Sequence, residues 1–323
     1  HSFPTRRSSD LTGLFVGATN VSLKNVTLRN NGLLGMGANN ADNLKVESLF
    51  SEKNNSQRFN RAPVSGAMKI TRSRQISVTG SSFINNYGQG PWFDESVYNI
   101  IFADNDSVNN EGNGVVFELS DTVKAVNNLI MDNSLKGMLV FCTGNVEIWN
   151  NTFVDNNGSV IIVQDERRAS NLSAAGHDKR QPLPDPTMPW ITKNVTLVNN
   201  VFSQRQGEAV IRVNDWSKEF KSSEMLIQND GNLFHTSSSL PIAVWYPDAT
   251  TWTVYSTFSD YQTATGRDQN SLGVTGASPL RENFSLSSDY EPRASFALPI
   301  TTTIARASST LGEDTRVLGA VIP

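Results

Sequence analysis

Apolar and polar residues alternate with a period of two through most of the chain, in short runs broken by Asn, Gly and Asp. Residues 146–149 (VEIW), 151–154 (NTFV) and 161–164 (IIVQ) are examples, and they are rich in β-branched and aromatic side chains. Both features are typical of half-buried β-strands. No 3.6-residue apolar stripe is evident in this region. The pattern therefore predicts an all-β fold built of short strands.

A short phrase recurs within this pattern: apolar, any, apolar, two residues, Asn, any, apolar, two residues, Asn. Its first slot is filled by Asn25, Gly80, Asn105, Asn128, Asn151 and Asn200. From 80 to 151 the successive positions differ by 25, 23 and 23 residues. A repeat of this length predicts a solenoid, and the alternation makes it a parallel β-helix whose coils stack at roughly 4.8 Å.

The recurring Asn has a physical role in such a solenoid. Asn tolerates the left-handed backbone conformation that a bend requires, and its amide can bond to a stacked Asn in the coils above and below. We therefore interpret nearly every Asn of the phrase as structural. The N-glycosylation sequons among them are by-products of Asn richness and weak evidence for glycosylation.

The repeat also suggests how the chain is divided. Residues 1–11 are basic and polar, lie outside the repeat and read like a translated sequencing adapter, so we expect an assembly artefact. The native start, with any signal peptide, would then be missing. We predict a β-helix over 12–245, with inserted loops at 51–66 and 165–190. Residues 246–323 should form an irregular C-terminal cap, with a short helix within 253–266.

Composition narrows the function classes. Only 18% of the 323 residues are charged and the net charge is −4, which argues against a nucleic-acid partner. No apolar run reaches membrane-spanning length. The single cysteine, Cys142, excludes an intrachain disulfide, and three histidines leave little scope for a His-rich metal site or a Ser-His-Asp triad. We expect a monomer.

The strand that follows each Asn phrase presents one face to the core and one to solvent. The predicted inward residues are Met68, Ile70, Phe93, Phe117, Leu139, Phe141, Val163, Ile211 and Val213. The predicted outward row is Lys69, Asp94, Glu118, Cys142, Gln164 and Arg212, with Trp92 on the same face.

Asp94 and Glu118 form the sharpest candidate site, because neighbouring strands would place their Cβ atoms about 5 Å apart. Two carboxylates so close repel, and one of them binds a proton more readily. The pair is a candidate acid/base couple or calcium site. Lys69 would balance the charge or act as a base, and Trp92 could stack on a sugar. The alternative is a ladder of surface ion pairs.

Three further residues are candidate substrate contacts. Gln164 and Arg212 extend the outward row, and Arg72 lies close enough in sequence to Lys69 to bind a uronate carboxylate.

Several segments carry a resemblance to a known family. Residues 88–105 (GQGPWFDESVYNIIFADN), 114–120 (GVVFELS) and 146–156 (VEIWNNTFVDN) resemble secreted bacterial right-handed parallel β-helix repeat proteins of the pectate-lyase-like superfamily. The resemblance spans about 13–245, and residues 258–272 resemble the family's C-terminal segment. It implies a single-stranded right-handed parallel β-helix with an irregular cap, a secreted or cell-surface location and a polysaccharide partner.

The resemblance leaves the chemistry open. A uronate polysaccharide lyase is our first prediction, because lyases of this fold need a Lys or Arg base and a cation to neutralise the uronate. Lys69, Asp94 and Glu118 would fill these roles, with calcium as the one candidate cofactor. A retaining glycoside hydrolase is the second, since it tolerates carboxylates about 5 Å apart. A non-catalytic glycan-binding surface protein or adhesin is the third.

Overall fold

A computed structural model shows a right-handed parallel β-helix, which confirms the predicted fold class. The structure describes residues 11–237, 240–285, 287, 289 and 319–320. The predicted artefact at 1–11, apart from Leu11, and most of the segment after 285 therefore lie outside the described residues.

The strands follow one another in coils of three. The first four coils comprise β1 (Thr12–Val16), β2 (Ser22–Lys24), β3 (Thr27–Arg29), β4 (Leu34–Asn39), β5 (Lys45–Glu47), β6 (Phe50–Glu52), β7 (Gly66–Thr71), β8 (Arg74–Thr79), β9 (Ser82–Ile84), β10 (Gln89–Asp94), β11 (Tyr98–Ala103) and β12 (Asp106–Val108). The next four comprise β13 (Val115–Glu118), β14 (Asp121–Val126), β15 (Leu129–Met131), β16 (Met138–Phe141), β17 (Gly144–Trp149), β18 (Thr152–Val154), β19 (Val160–Gln164), β20 (Val195–Val198), β21 (Val201–Gln204), β22 (Ile211–Asp215), β23 (Ile227–Asp230) and β24 (Leu233–Thr236). They are followed by β25 (Ala243–Trp245), β26 (Thr253–Tyr255), α1 (Phe258–Thr265) and β27 (Leu272–Thr275).

Each coil contributes one strand to each of three parallel sheets. Sheet A contains the first strand of every coil and continues through β25 to the antiparallel β26. Sheet B contains the second strands, and sheet C contains the third strands and ends with β27. The first long insertion, 53–65, leads into strand β7 of sheet A, and the second, 165–194, follows strand β19 of the same sheet. They therefore border its outer face.

The end of the solenoid is closed by α1, the short helix predicted within 253–266. Thr257 caps its start by accepting a hydrogen bond from the Asp260 amide, and Gly266 ends it in the left-handed conformation. Tyr261 is fully buried, and its ring lies 6.3 Å from that of Phe234 and 6.0 Å from that of Trp245. The helix thus covers the last aromatic layer of the core. No described helix has the length and apolarity that a membrane crossing needs.

The Asn phrase forms the predicted ladder, but the ladder hydrogen bonds and the left-handed backbone conformation belong to two neighbouring residues. Asn128 Nδ2 donates to Asn151 Oδ1 at 2.8 Å, and Asn151 repeats this contact with Asn200 at 3.0 Å. The left-handed conformation belongs to the preceding residue, for example Asn127 at φ 54°. Gly80, at φ 55°, also occupies this preceding slot. The residue of that coil that matches Asn105 is Ser81, whose amide donates to Asn105 Oδ1, so the interval from 80 to 105 joined two different slots.

A second ladder, which the phrase also contains, runs along the other end of sheet C. Its members are Asn54, Asn86, Asn110, Asn133 and Asn156, each joined to the next through side-chain amides at 2.8–3.0 Å. All of these residues are buried. The coils that contain Asn105, Asn128 and Asn151 therefore have both bends around sheet C fixed by hydrogen-bonded amides, which satisfies polar groups that the solenoid would otherwise bury unpaired.

The core confirms most of the predicted inward residues and corrects three. Met68, Ile70, Phe93, Phe117, Ile211 and Val213 lie in the core. Leu139, Phe141 and Val163 were predicted to point inward and instead lie on the outer face of sheet A, because Met138, Val140, Val160 and Ile162 take the core positions. Phe117 pairs with Val140, so Glu118 is followed in the next coil by Phe141.

Candidate functional site

The outer face of sheet A brings four of the predicted site residues together. Phe93 pairs with Phe117, so the next residues, Asp94 and Glu118, lie side by side on β10 and β13. Lys69 on β7 pairs with Trp92 and not with Asp94. It therefore reaches the acidic pair along a diagonal.

Lys69 is held by three contacts. Its Nζ lies 2.7 Å from Asp94 Oδ2, donates to the Pro63 carbonyl at 2.6 Å and lies 3.5 Å from the centroid of the Trp92 ring. The side chains of Lys69 and Asp94 are only 9% and 8% exposed. Pro63 belongs to the first insertion, so this loop encloses the ion pair.

Glu118 is held from two sides by hydrogen-bond donors. Trp92 Nε1 donates to its Oε2 at 3.1 Å, and Arg167 Nη1 donates to its Oε1 at 2.6 Å. Arg167 comes from the second insertion, where its Nε also donates to Asp165 Oδ2 at 2.7 Å. The guanidinium lies 4.3 Å from the Phe141 ring. The two insertions therefore meet over one pair of carboxylates.

The surroundings of Glu118 raise the pKa of its carboxyl group. Burial is the largest cause, and the nearby carboxylate of Asp94 adds to it. The positive charges of Arg167 and Lys69 oppose the shift without cancelling it. Glu118 therefore keeps a proton to higher pH than an ordinary glutamate, while Asp94 is ion-paired with Lys69.

The remaining predicted substrate contacts do not join this cluster. Gln164 is fully buried, and its Oε1 accepts a hydrogen bond from the Thr192 amide at 2.6 Å, so it anchors the second insertion. Arg212 is the register partner of Ile161, in the row of sheet A that contains Trp92 and not the row of Asp94 and Glu118. It pairs with Glu208 at 3.3 Å. Arg72 lies past the end of β7 and pairs with Glu95 at 2.6 Å.

The outward row predicted for these coils was wrong after Glu118. Cys142 lies one residue past β16, at φ 48°, where the chain bends and the alternation ends. Burial raises the pKa of its thiol, which makes it a neutral core-like group. Phe141, Val163 and Asn214 continue the row from Glu118 instead.

Two residues of the site escaped the sequence analysis. Arg167 belongs to the charged run DERR that directly follows β19, and from sequence this run indicated only a loop. Trp216 follows β22, and its ring contacts the Phe141 ring edge-on at 5.3 Å. Both depend on how loops fold back over sheet A, which local alternation does not encode.

The carboxylates fit the predicted calcium poorly. Lys69 and Arg167 each place a positive charge within hydrogen-bond distance of one of them. Calcium prefers six to eight oxygen ligands, and cations in direct contact with those oxygens oppose its binding. Among the described residues, no group of three or more His, Cys, Asp or Glu is arranged to hold a metal ion.

Comparison with known proteins supports the fold and adds no chemistry. A family model described as "Right handed beta helix region" matches residues 7–157, just under half of the chain. No curated protein matches in sequence. A crystal structure of DFA-IIIase from Arthrobacter chlorophenolicus A6 is similar at 12% identity and a TM-score of 0.32, covering 84% of this chain and 59% of that one.

A variant of the same enzyme in complex with DFA-III is similar at 11% identity and a TM-score of 0.31, covering 90% of this chain and 63% of that one. The chain thus spans about three fifths of the length of these structures. At this level of similarity neither structure carries an argument about this chain's activity.

Proposed function

We propose that this protein is a carbohydrate-active enzyme that hydrolyses glycosidic bonds with retention of anomeric configuration. The proposal is carried by one observation: Glu118, whose pKa is raised, lies beside Asp94 on the neighbouring strand. Retaining glycosidases use two carboxyl groups about 5 Å apart, one protonated and one ionised, and adjacent strands lie roughly 4.8 Å apart.

The roles follow from the two environments. Glu118 donates its proton to the glycosidic oxygen as Asp94 attacks the anomeric carbon, so the carbon–oxygen bond breaks and a glycosyl ester forms on Asp94. Glu118, now a carboxylate, takes a proton from water. The water oxygen attacks the same carbon and releases Asp94, which restores both carboxyl groups.

Arg167 is a positioning residue in this scheme. It donates to Glu118 Oε1 while Trp92 occupies Oε2, so both oxygens have a partner. A leaving group must therefore displace Arg167 to reach Oε1. Because Arg167 also lowers the pKa of Glu118, its withdrawal as substrate binds would strengthen the proton's hold on the acid.

The uronate lyase predicted from sequence receives less support. Lys69 is already held by the Asp94 carboxylate, the Pro63 carbonyl and the Trp92 ring, so it would have to leave these contacts to reach a substrate. Arg72 and Arg167, the cations available for a uronate, are already paired with acids. A non-catalytic glycan-binding protein fits the same surface, and turnover separates the two.

A panel of neutral and uronate polysaccharides, assayed in parallel for reducing ends and for ultraviolet absorbance, tests the proposal. We expect new reducing ends without absorbance from unsaturated products, and retained configuration in the first product seen by NMR. Absorbing products would identify a lyase. Binding of a polysaccharide without new reducing ends or unsaturated products from any member of the panel would indicate a non-catalytic binding protein.

A further inference from the structure

An exposed tryptophan continues the site toward the C-terminal end of the solenoid. Trp216 is 56% exposed. Its ring contacts Phe141, and Phe141 is the register partner of Glu118 one coil away. Arg167 already lies 4.3 Å from the Phe141 ring, so Trp216 supplies the open apolar surface on the C-terminal side of the proposed acid.

The loop that carries Trp216 is held rigidly in place. The buried carboxylate of Asp215 accepts hydrogen bonds from the amide and hydroxyl of Ser217 and from the amides of Glu219 and Phe220, all at 2.6–2.9 Å. The Trp216 amide donates to the Gln164 carbonyl at 2.8 Å. An exposed aromatic side chain on a fixed backbone loses little conformational entropy when a ligand covers it.

Charge along the same face restricts the ligand. Five cations along it are already paired with an acid, as Lys69–Asp94, Arg72–Glu95, Arg167–Glu118, Arg168–Glu219 and Arg212–Glu208. A uronate that bound one of these five cations would have to break its pair and would also face the acid beside it. An uncharged sugar needs only an apolar ring face and hydrogen-bond partners.

From these contacts we infer that Trp216, packed against Phe141, forms a stacking subsite for an uncharged glycan chain. The subsite accepts sugars on the C-terminal side of the Asp94–Glu118 pair. The inference rests on the proposed function for the position of the reacting bond, and it selects neutral over acidic polysaccharides as the substrate class.

Calorimetric titration of the full chain carrying Glu118→Gln tests binding apart from turnover. The probes are neutral gluco-, manno-, galacto- and xylo-oligosaccharides, with oligogalacturonate and oligomannuronate of the same length. We expect a neutral oligosaccharide to bind at least about tenfold more tightly than either uronate. Trp216→Ala should weaken that binding about tenfold, and Trp216→Phe should restore most of it.

Trp252 supplies the matched control, because it has the same 56% exposure but lies just before β26, beyond the last coil. Trp252→Ala should leave the affinity unchanged. Tighter uronate binding, equal losses from the two tryptophans, or no binding by any probe would overturn the inference. Neutral binding that depends on Trp216, with no hydrolysis by the unmodified protein, would uphold the subsite and overturn the hydrolase. Hydrolysis unaffected by Trp216→Ala would uphold the hydrolase and overturn the subsite.

Discussion

Two lysine–carboxylate pairs join adjacent coils on different faces of the same solenoid. On sheet A, Lys69 pairs with Asp94 at 2.7 Å, and on sheet B, Lys124 pairs with Glu147 at 3.1 Å. The sheet B side chains are more exposed, at 19% and 24%. Both pairs join a lysine to a carboxylate of the next coil, so the pairing of charges across coils does not by itself make a site.

Their neighbours separate the two faces. Asp94 has Glu118 beside it, whereas the residues flanking the sheet B pair in register are Ile101 and Thr196. The insertions also bring the Pro63 carbonyl and Arg167 onto the sheet A cluster. A second carboxylate and a cover of inserted loops distinguish the candidate site from a surface ion pair.

The largest expected difference between the faces is in catalysis. Glu118→Gln removes the proton donor and should lower kcat/KM on the substrate identified in the panel by about 10²–10⁴-fold. Glu147→Gln, which removes a charge from an equivalent cross-coil pair, should leave kcat/KM within about twofold. Reducing-end assays on both variants measure this. Equal losses would mean that stability, not chemistry, links Glu118 to activity.

Breaking the sheet A pair should also lower the free energy of unfolding more than breaking the sheet B pair, although this difference is smaller than the one in catalysis. Lys69→Met leaves Asp94 nearly buried, unpaired and beside Glu118, which should cost about 3 kcal/mol of unfolding free energy. Lys124→Met breaks a partly exposed pair and should cost less than about 1 kcal/mol. Denaturant unfolding of the two variants gives the comparison. A Lys69 variant as stable as the Lys124 variant would contradict the buried character of the sheet A pair.

The smallest expected effect is a shift of the pH profile. The general acid works only while protonated, so activity should fall as pH rises through the pKa of Glu118. Arg167 lowers that pKa, so Arg167→Gln should move this alkaline limb of kcat/KM to higher pH.

Arg205, which pairs with Asp155 away from sheet A's acidic cluster, provides the control for that shift. Arg205→Gln should leave the limb in place. A limb that moves to lower pH in the Arg167 variant, or that moves equally in both variants, would show that Glu118 is not the group being titrated.

The sequence predicted the scaffold well because the solenoid repeats its own local chemistry. Each Asn of the ladders is required by a bend in its own coil, so the repeat could be recognised from this one sequence. The adjacency of Asp94 and Glu118 followed from counting within such coils. Counting failed after Glu118, since bends differ by a residue from coil to coil and Phe141, not Cys142, takes the next place.

Long-range contacts could not be read from the repeat. Arg167 reaches Glu118 across 49 residues of sequence, and Trp216 reaches Phe141 across two coils. Both depend on where an insertion and a loop fold back, which alternation along a strand does not determine. Lys69 was predicted either to balance the charge of the acids or to act as a base, and the Pro63 carbonyl that binds it also comes from an insertion that the repeat does not describe.

The most direct test of the acidic pair is to trap the covalent intermediate that retention requires. The protein would be incubated with a 2-deoxy-2-fluoro glycoside, bearing an activated leaving group, of the sugar that it hydrolyses. Intact-mass and peptide mass spectrometry should find one added glycosyl unit, esterified to Asp94. A label on another carboxylate, or continued hydrolysis of the panel substrate with no label at all, would contradict the assignment of Asp94 as nucleophile and Glu118 as acid.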